Sequence, residues 1–108
     1  MSAEFFVRFN NVGWYAENLN KIKEKVIKLK TFSKEREGGI WLVGDEPREE
    51  KYPWAYDVRL IFSHTQHILV EISAHPRSIE SDLSLFFNWL RSLTAITIED
   101  EDGVISNW

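Results

Sequence analysis

The chain has 108 residues, no cysteine and a net charge of −4. That suits a single domain spanning residues 1–108 and excludes disulfide and thiolate chemistry. With 44% hydrophobic and 28% charged residues it is ordinary globular composition, and no stretch reaches the roughly 18 apolar residues of a membrane span.

In chain order, Glu4 to Asn10 reads as a first strand, because Phe5, Phe6, Val7 and Phe9 are good strand formers. Asn10-Asn11-Val12-Gly13 reads as a turn. The spacing of Leu19, Ile22, Val26 and Leu29 predicts a helix over 17–32, with Ile27 widening the apolar stripe and Asn18 as the cap. Lys21, Lys23, Lys25, Lys28 and Lys30 cover the rest of that helix. After Gly38-Gly39 comes a short strand, Ile40 to Val43, and then a polar loop from Gly44 to Lys51.

Trp54 to Ser63 alternates most clearly, with Trp54, Tyr56, Val58, Leu60 and Phe62 expected to face the core. A short connection at His64-Thr65-Gln66 leads to a strand from His67 to Ala74, with Ile68, Val70 and Ile72 on one face. A second helix follows His75-Pro76-Arg77, capped by Ser78 or Ser81, with Glu80 and Asp82 near its positive end. Its stripe is Leu83, Phe86, Phe87, Leu90 and Leu93. Residues 95–99 make the next strand, and Val104-Ile105 can pair back across the acidic turn. The order is β-α-β-β-β-α-β, which predicts an α+β fold: a mainly antiparallel sheet of four to six strands covered on one face by two amphipathic helices.

The charge is unevenly distributed. Residues 1–34 hold seven basic and three acidic residues, a net +4; residues 35–108 hold six basic and fourteen acidic, a net −8. An acidic surface disfavours nucleic acid as a ligand and suits a basic protein. The densest acid run is Glu99-Asp100-Glu101-Asp102, closed by Gly103; a second group is Asp45, Glu46, Glu49 and Glu50, beside Tyr52 and Trp54. Aromatic anchors next to carboxylates are what a high-affinity surface for a basic protein uses, so these ten residues are the expected partner contacts.

No residue set predicts a catalytic, cofactor or metal site. His64 and His67 flank one turn, but a metal needs three or four converging ligands. No serine stands in a nucleophile elbow. Asp57 and Glu71 fall on neighbouring strands near Arg59, where a cross-strand ion pair is the simpler reading.

In its size, its Trp-rich α+β pattern and the acid clusters Asp45-Glu46…Glu49-Glu50 and Ile98-Glu99-Asp100-Glu101-Asp102-Gly103, the chain resembles the small acidic immunity proteins of contact-dependent inhibition and other bacterial polymorphic-toxin systems. The resemblance implies a cytoplasmic, non-enzymatic inhibitor, a monomer or weak dimer that binds one toxin domain. That domain is often a basic nuclease, blocked by carboxylates that stand in for substrate phosphates. The basic first helix departs from a uniformly acidic pattern. The competing expectations are a small-molecule or regulatory module with an aromatic pocket, an enzyme built on Asp57, Glu71 and a histidine, and a structural subunit that self-associates through an open sheet face.

Overall fold

The computed structural model describes residues 3–46, 55–63 and 67–108. The elements are β1 (Ala3–Phe9), α1 (Val12–Glu17), α2 (Leu19–Ile27), β2 (Phe32–Arg36), β3 (Gly39–Leu42), β4 (Val58–Phe62), β5 (His67–Ile72), α3 (Arg77–Leu93) and β6 (Ile96–Asp100). The strands form one sheet in the order β2-β3-β4-β5-β1-β6, and every neighbouring pair is antiparallel. This is the expected α+β class, and its six strands lie within the four to six expected; one strand, β2, and one helix, α1, are not in the expected order.

Side-chain alternation decides which face is covered. Val7 and Phe9, Ile40 and Leu42, Val58, Leu60 and Phe62, Ile68, Val70 and Ile72, and Ile98 are buried in one core with Tyr15, Ile22, Val26, Ile79, Leu83, Phe86, Phe87 and Leu90. All three helices therefore lie on the same side of the sheet. The second face carries Phe6, Arg8, Trp41, Arg59, Ile61, His67, Leu69, Glu71 and Glu99, and no described helix packs on it.

The expected helix over 17–32 is the shorter α2, and a separate helix, α1, precedes it across Asn18. Asn11 starts α1, its Oδ1 accepting from the Trp14 N–H at 2.9 Å, so Val12 and Gly13 are helical and not a turn. Asn18 ends α1: its N–H donates to the Trp14 and Tyr15 carbonyls and its Nδ2 to the Trp14 carbonyl at 2.8 Å. Asn18 therefore makes no side-chain cap for α2. The lysine-rich helix stops at Ile27, which is 39% exposed, and Phe32 already belongs to a strand.

β2, Phe-Ser-Lys-Glu-Arg, was not expected, because an edge strand with four exposed residues shows no buried alternation. A two-residue connection joins it to β3: Glu37 and Gly38 both have positive φ, 52° and 78°, which matches the twist of a tight hairpin. Gly38 meets this requirement without strain.

At the start of α3 the cap position is Pro76, and neither Ser78 nor Ser81 caps the helix. Asp82 lies beyond the first turn of α3 and is buried: its Oδ2 accepts from the Thr31 N–H at 2.9 Å and the Thr31 hydroxyl at 2.7 Å. The stripe Leu83, Phe86, Phe87 and Leu90 is buried as expected, while Leu93 is exposed at its end.

Tyr15 is buried with its hydroxyl bonded to the Ser63 carbonyl at 2.6 Å, and burial pushes its pKa up to about 12. The folded value lies above the ordinary value of 10.0, so the stability carried by the neutral phenol is complete below pH 10 and lost as pH rises towards 12. Tyr15→Phe should cost about 1 kcal/mol at neutral pH and flatten the loss of stability over that alkaline window. Urea midpoints across the range measure it; an equal alkaline decline in Tyr15→Phe would assign the effect elsewhere.

Candidate functional site: an acidic end of the sheet

The register brings distant acids to one end of the sheet. Leu42 pairs with Val58, Val58 with Ile72, and Ile72 with Ala3, while Phe5 pairs with Asp100. The end of β3, the start of β4, the end of β5, the start of β1 and the end of β6 are therefore neighbours. Asp45 and Glu46 leave this end after β3, and Glu101 and Asp102 leave it after β6. Four strand spacings separate the two groups, roughly 19 Å. Glu4 and Glu80 lie at the same end, and so do His75 and Arg77.

Each acid has a distinct local role. Asp100 builds the β6 turn: its Oδ1 accepts from the N–H groups of Asp102 and Val104, both at 2.9 Å, and its own N–H donates to the Val104 carbonyl. Gly103, at φ 80°, closes the turn, and Glu99 bridges to Ile105, the pairing back that the sequence suggests. Glu101 accepts from the Glu4 N–H at 3.0 Å. Glu99 sits on the open face and pairs with Arg8 at 3.0 Å. Asp102 is exposed, and among the described residues it bonds through its backbone N–H alone. The result is a hydrogen-bonded turn that presents the Glu101 and Asp102 carboxylates beside a depression of about 200 Å3 lined by Ala3, Glu4, Phe5 and residues 100–102.

Glu46 reaches the start of α3. Its Oε2 accepts from the Ser78 N–H at 3.0 Å, and its Oε1 accepts from the Ser78 hydroxyl. These bonds hold its carboxyl below the ordinary carboxylate range, so it stays charged into mild acid. The Asp45 N–H donates to the Ser78 Oγ at 3.0 Å. Beneath them Asp57, 4% exposed, accepts from the Gly44 N–H at 2.7 Å and fixes where the loop leaves the sheet. The remaining expected contacts, Glu49, Glu50, Tyr52 and Trp54, lie outside the described residues, as does His64.

The other predicted groups separate. Arg59 and Glu71 face each other across β4 and β5 and form a two-pronged ion pair at 2.7 and 2.9 Å, to which Asp57 does not contribute. The pair raises the Arg59 pKa. His67 is held below its ordinary pKa by burial and by Arg8, so it is neutral at pH 7. Among the described residues no group of three or more His, Asp or Glu is placed to hold a metal, and no helix is long and apolar enough to cross a membrane.

Comparison with known proteins returns no match. No family model, curated protein or solved structure is similar to this chain.

Two features escaped the sequence pattern. Trp108 is built into the fold, edge-on to Phe5 at 6.3 Å and to Phe87 at 5.8 Å, with its carbonyl accepting from Arg91. The open face carries a cation–aromatic cluster beside the β3–β4 connection: Trp41 and Tyr56 rings lie 5.0 Å apart, the Lys34 ammonium is 4.8 Å from the Trp41 ring centre, and the Arg59 guanidinium is 5.3 Å from that of Tyr56. On this face Lys34 and Arg36 of β2 lie towards one edge of the sheet, while Glu71 and Glu99 are paired with Arg59 and Arg8. Only the register of β2, itself outside the expected order, places those two cations there.

Proposed function

We propose that this chain is a non-enzymatic protein-binding inhibitor that presents the acidic end of its sheet to a basic partner, in the manner of an immunity protein neutralising a toxin domain. The observation that carries the reading is that Asp45 and Glu46, and Glu101 and Asp102, lie along the same end of the sheet, although more than fifty residues separate the two groups in sequence. A carboxylate that accepts one or two backbone N–H bonds keeps its charge and has lone pairs left for a partner's Lys or Arg. Anchoring by Ser78 and by the Asp100 turn lowers the entropy lost on binding. The carboxylates then occupy sites that a nuclease would reserve for substrate phosphates, which accounts for inhibition as well as binding.

Affinity capture from the native cell lysate, at low and then high salt, tests this. The expected result is one stoichiometric basic protein retained at low salt and reduced at high salt. Recovery of only acidic proteins or nucleic acid would overturn the reading.

A further inference from the structure

The helix layer carries a groove of the opposite charge. α2 and α3 leave between them a trough of about 530 Å3 lined by Lys25, Lys28, Leu29, Lys30, Leu85 and Trp89, among others. A second depression of about 230 Å3 shares Lys30 and Leu85 and extends the trough towards Ser78. Its apolar surface is substantial: Leu85 is 63% exposed, and Trp89 and Leu29 are half-buried. The Lys25 ammonium lies 5.5 Å from the centre of the Trp89 ring. Among the described residues Lys25, Lys28 and Lys30 have no ion-pair partner. Of the carboxylates near it, Asp82 in the wall of the trough is taken by Thr31, and Asp45 lines only the second depression, at its Ser78 end.

The chain also carries a complement to this groove. The hydrogen-bonded turn after β6 presents Glu101 and Asp102, and directly behind them Val104 and Ile105 are 60% and 71% exposed. Two carboxylates followed by two aliphatic side chains match a trough lined by lysines, Leu85 and Trp89. Large exposed aliphatic side chains next to unpaired charge are the usual mark of a contact surface.

We propose that the Glu101–Ile105 turn of one copy docks into the α2–α3 groove of a second copy, head to tail. The carboxylates of the turn face Lys28 and Lys30, and Val104 and Ile105 cover Leu85 and the Trp89 edge. Groove and turn are different surfaces of the same chain, so the contact is heterologous and each copy keeps one free groove and one free turn. A single turn in a single groove buries less than a stable dimer needs, so the association is weak and strongly reduced by salt. The inference stands on the groove and turn alone. It adds to the proposed function a competition, because a docked copy covers part of the acidic end.

Sedimentation of the full chain over a concentration series tests it. The average mass of the wild type should rise with concentration at low ionic strength, with a dissociation constant of about 0.1 mM that weakens about tenfold or more at high salt. Leu85→Asp in the groove and Asp102→Ser/Ile105→Ser in the turn should each be monomeric alone. Neither substitution removes a described side-chain bond, and an unchanged near-ultraviolet circular dichroism spectrum checks the fold. Mixed together, the two variants should form a one-to-one dimer and nothing larger, because each supplies the half the other lacks. A wild type that stays monomeric at low salt overturns the proposal. So does association that survives both variants, or a mixture that does not pair. None of these readouts involves the basic partner, so failure here leaves the acidic-end reading to its own test.

Discussion

Asp82→Ala should destabilise the protein by about 3 kcal/mol, a large fraction of the roughly 5–15 kcal/mol that holds a domain of this size together. Asp82 is 5% exposed and its acceptor oxygen serves both the backbone N–H and the hydroxyl of Thr31, itself 2% exposed. Removing the carboxylate leaves two largely buried donors without their acceptor, and an unmade buried bond costs more than a made one contributes. The effect is not confined to one helix. The Thr31 carbonyl accepts from the Val43 N–H at 2.8 Å, so Asp82 ties α3 to the α2–β2 connection and through it to the end of β3. Asp82→Asn keeps an acceptor oxygen and should cost less than half as much. Urea unfolding of the three proteins measures it. A loss below about 0.5 kcal/mol for Asp82→Ala would mean that Thr31 finds another acceptor and that the tether is not structural.

Asp82 also marks where reading the sequence stops. Its place in the first turns of α3 suggests a dipole partner, and only the tertiary contact with a residue 51 positions earlier gives its actual role. The same limit applies to Glu46, which holds Ser78 from a loop 32 residues away, while the two serines that look like caps do not cap. What is legible is periodic burial. The alternation of Val58, Leu60 and Phe62, of Ile68, Val70 and Ile72, and the stripe Leu83, Phe86, Phe87 and Leu90 all fall on the core as expected. β2 is not legible, because an edge strand of exposed polar residues has no periodic signal, and its lysine merges with the lysines of the preceding helix. The helix itself extends too far in the sequence pattern because Leu29 continues the stripe; Leu29 does pack against the core, but from a turn. The acids were legible as clusters. That they share one end of the sheet was not, since this depends on β1 lying between β5 and β6.

Reversing the acidic end should weaken binding of the basic partner on the order of 100-fold, mainly by slowing association. Which acids are changed decides whether the experiment is clean. Asp100 holds the turn through two backbone bonds and Glu99 is paired with Arg8, so replacing either confuses folding with binding. Asp45 and Asp102 are exposed and, among the described residues, bond through their backbone N–H groups and not their carboxylates, and Glu101 gives up a single bond to the Glu4 N–H. The informative variant is therefore Asp45→Lys/Glu101→Lys/Asp102→Lys, which replaces three negative charges with three positive ones at both ends of the acidic rim. Its thermal midpoint should stay close to that of the wild type, since surface charges of this kind contribute little to stability.

The most direct measurement is the affinity of the wild type and of this triple variant for the captured basic partner, each followed across ionic strength. The account predicts tight wild-type binding that weakens steeply with salt, and a variant about 100-fold weaker at low salt whose affinity no longer falls as salt rises. Equal affinities with the same salt dependence would contradict it and remove the acidic end from the interface.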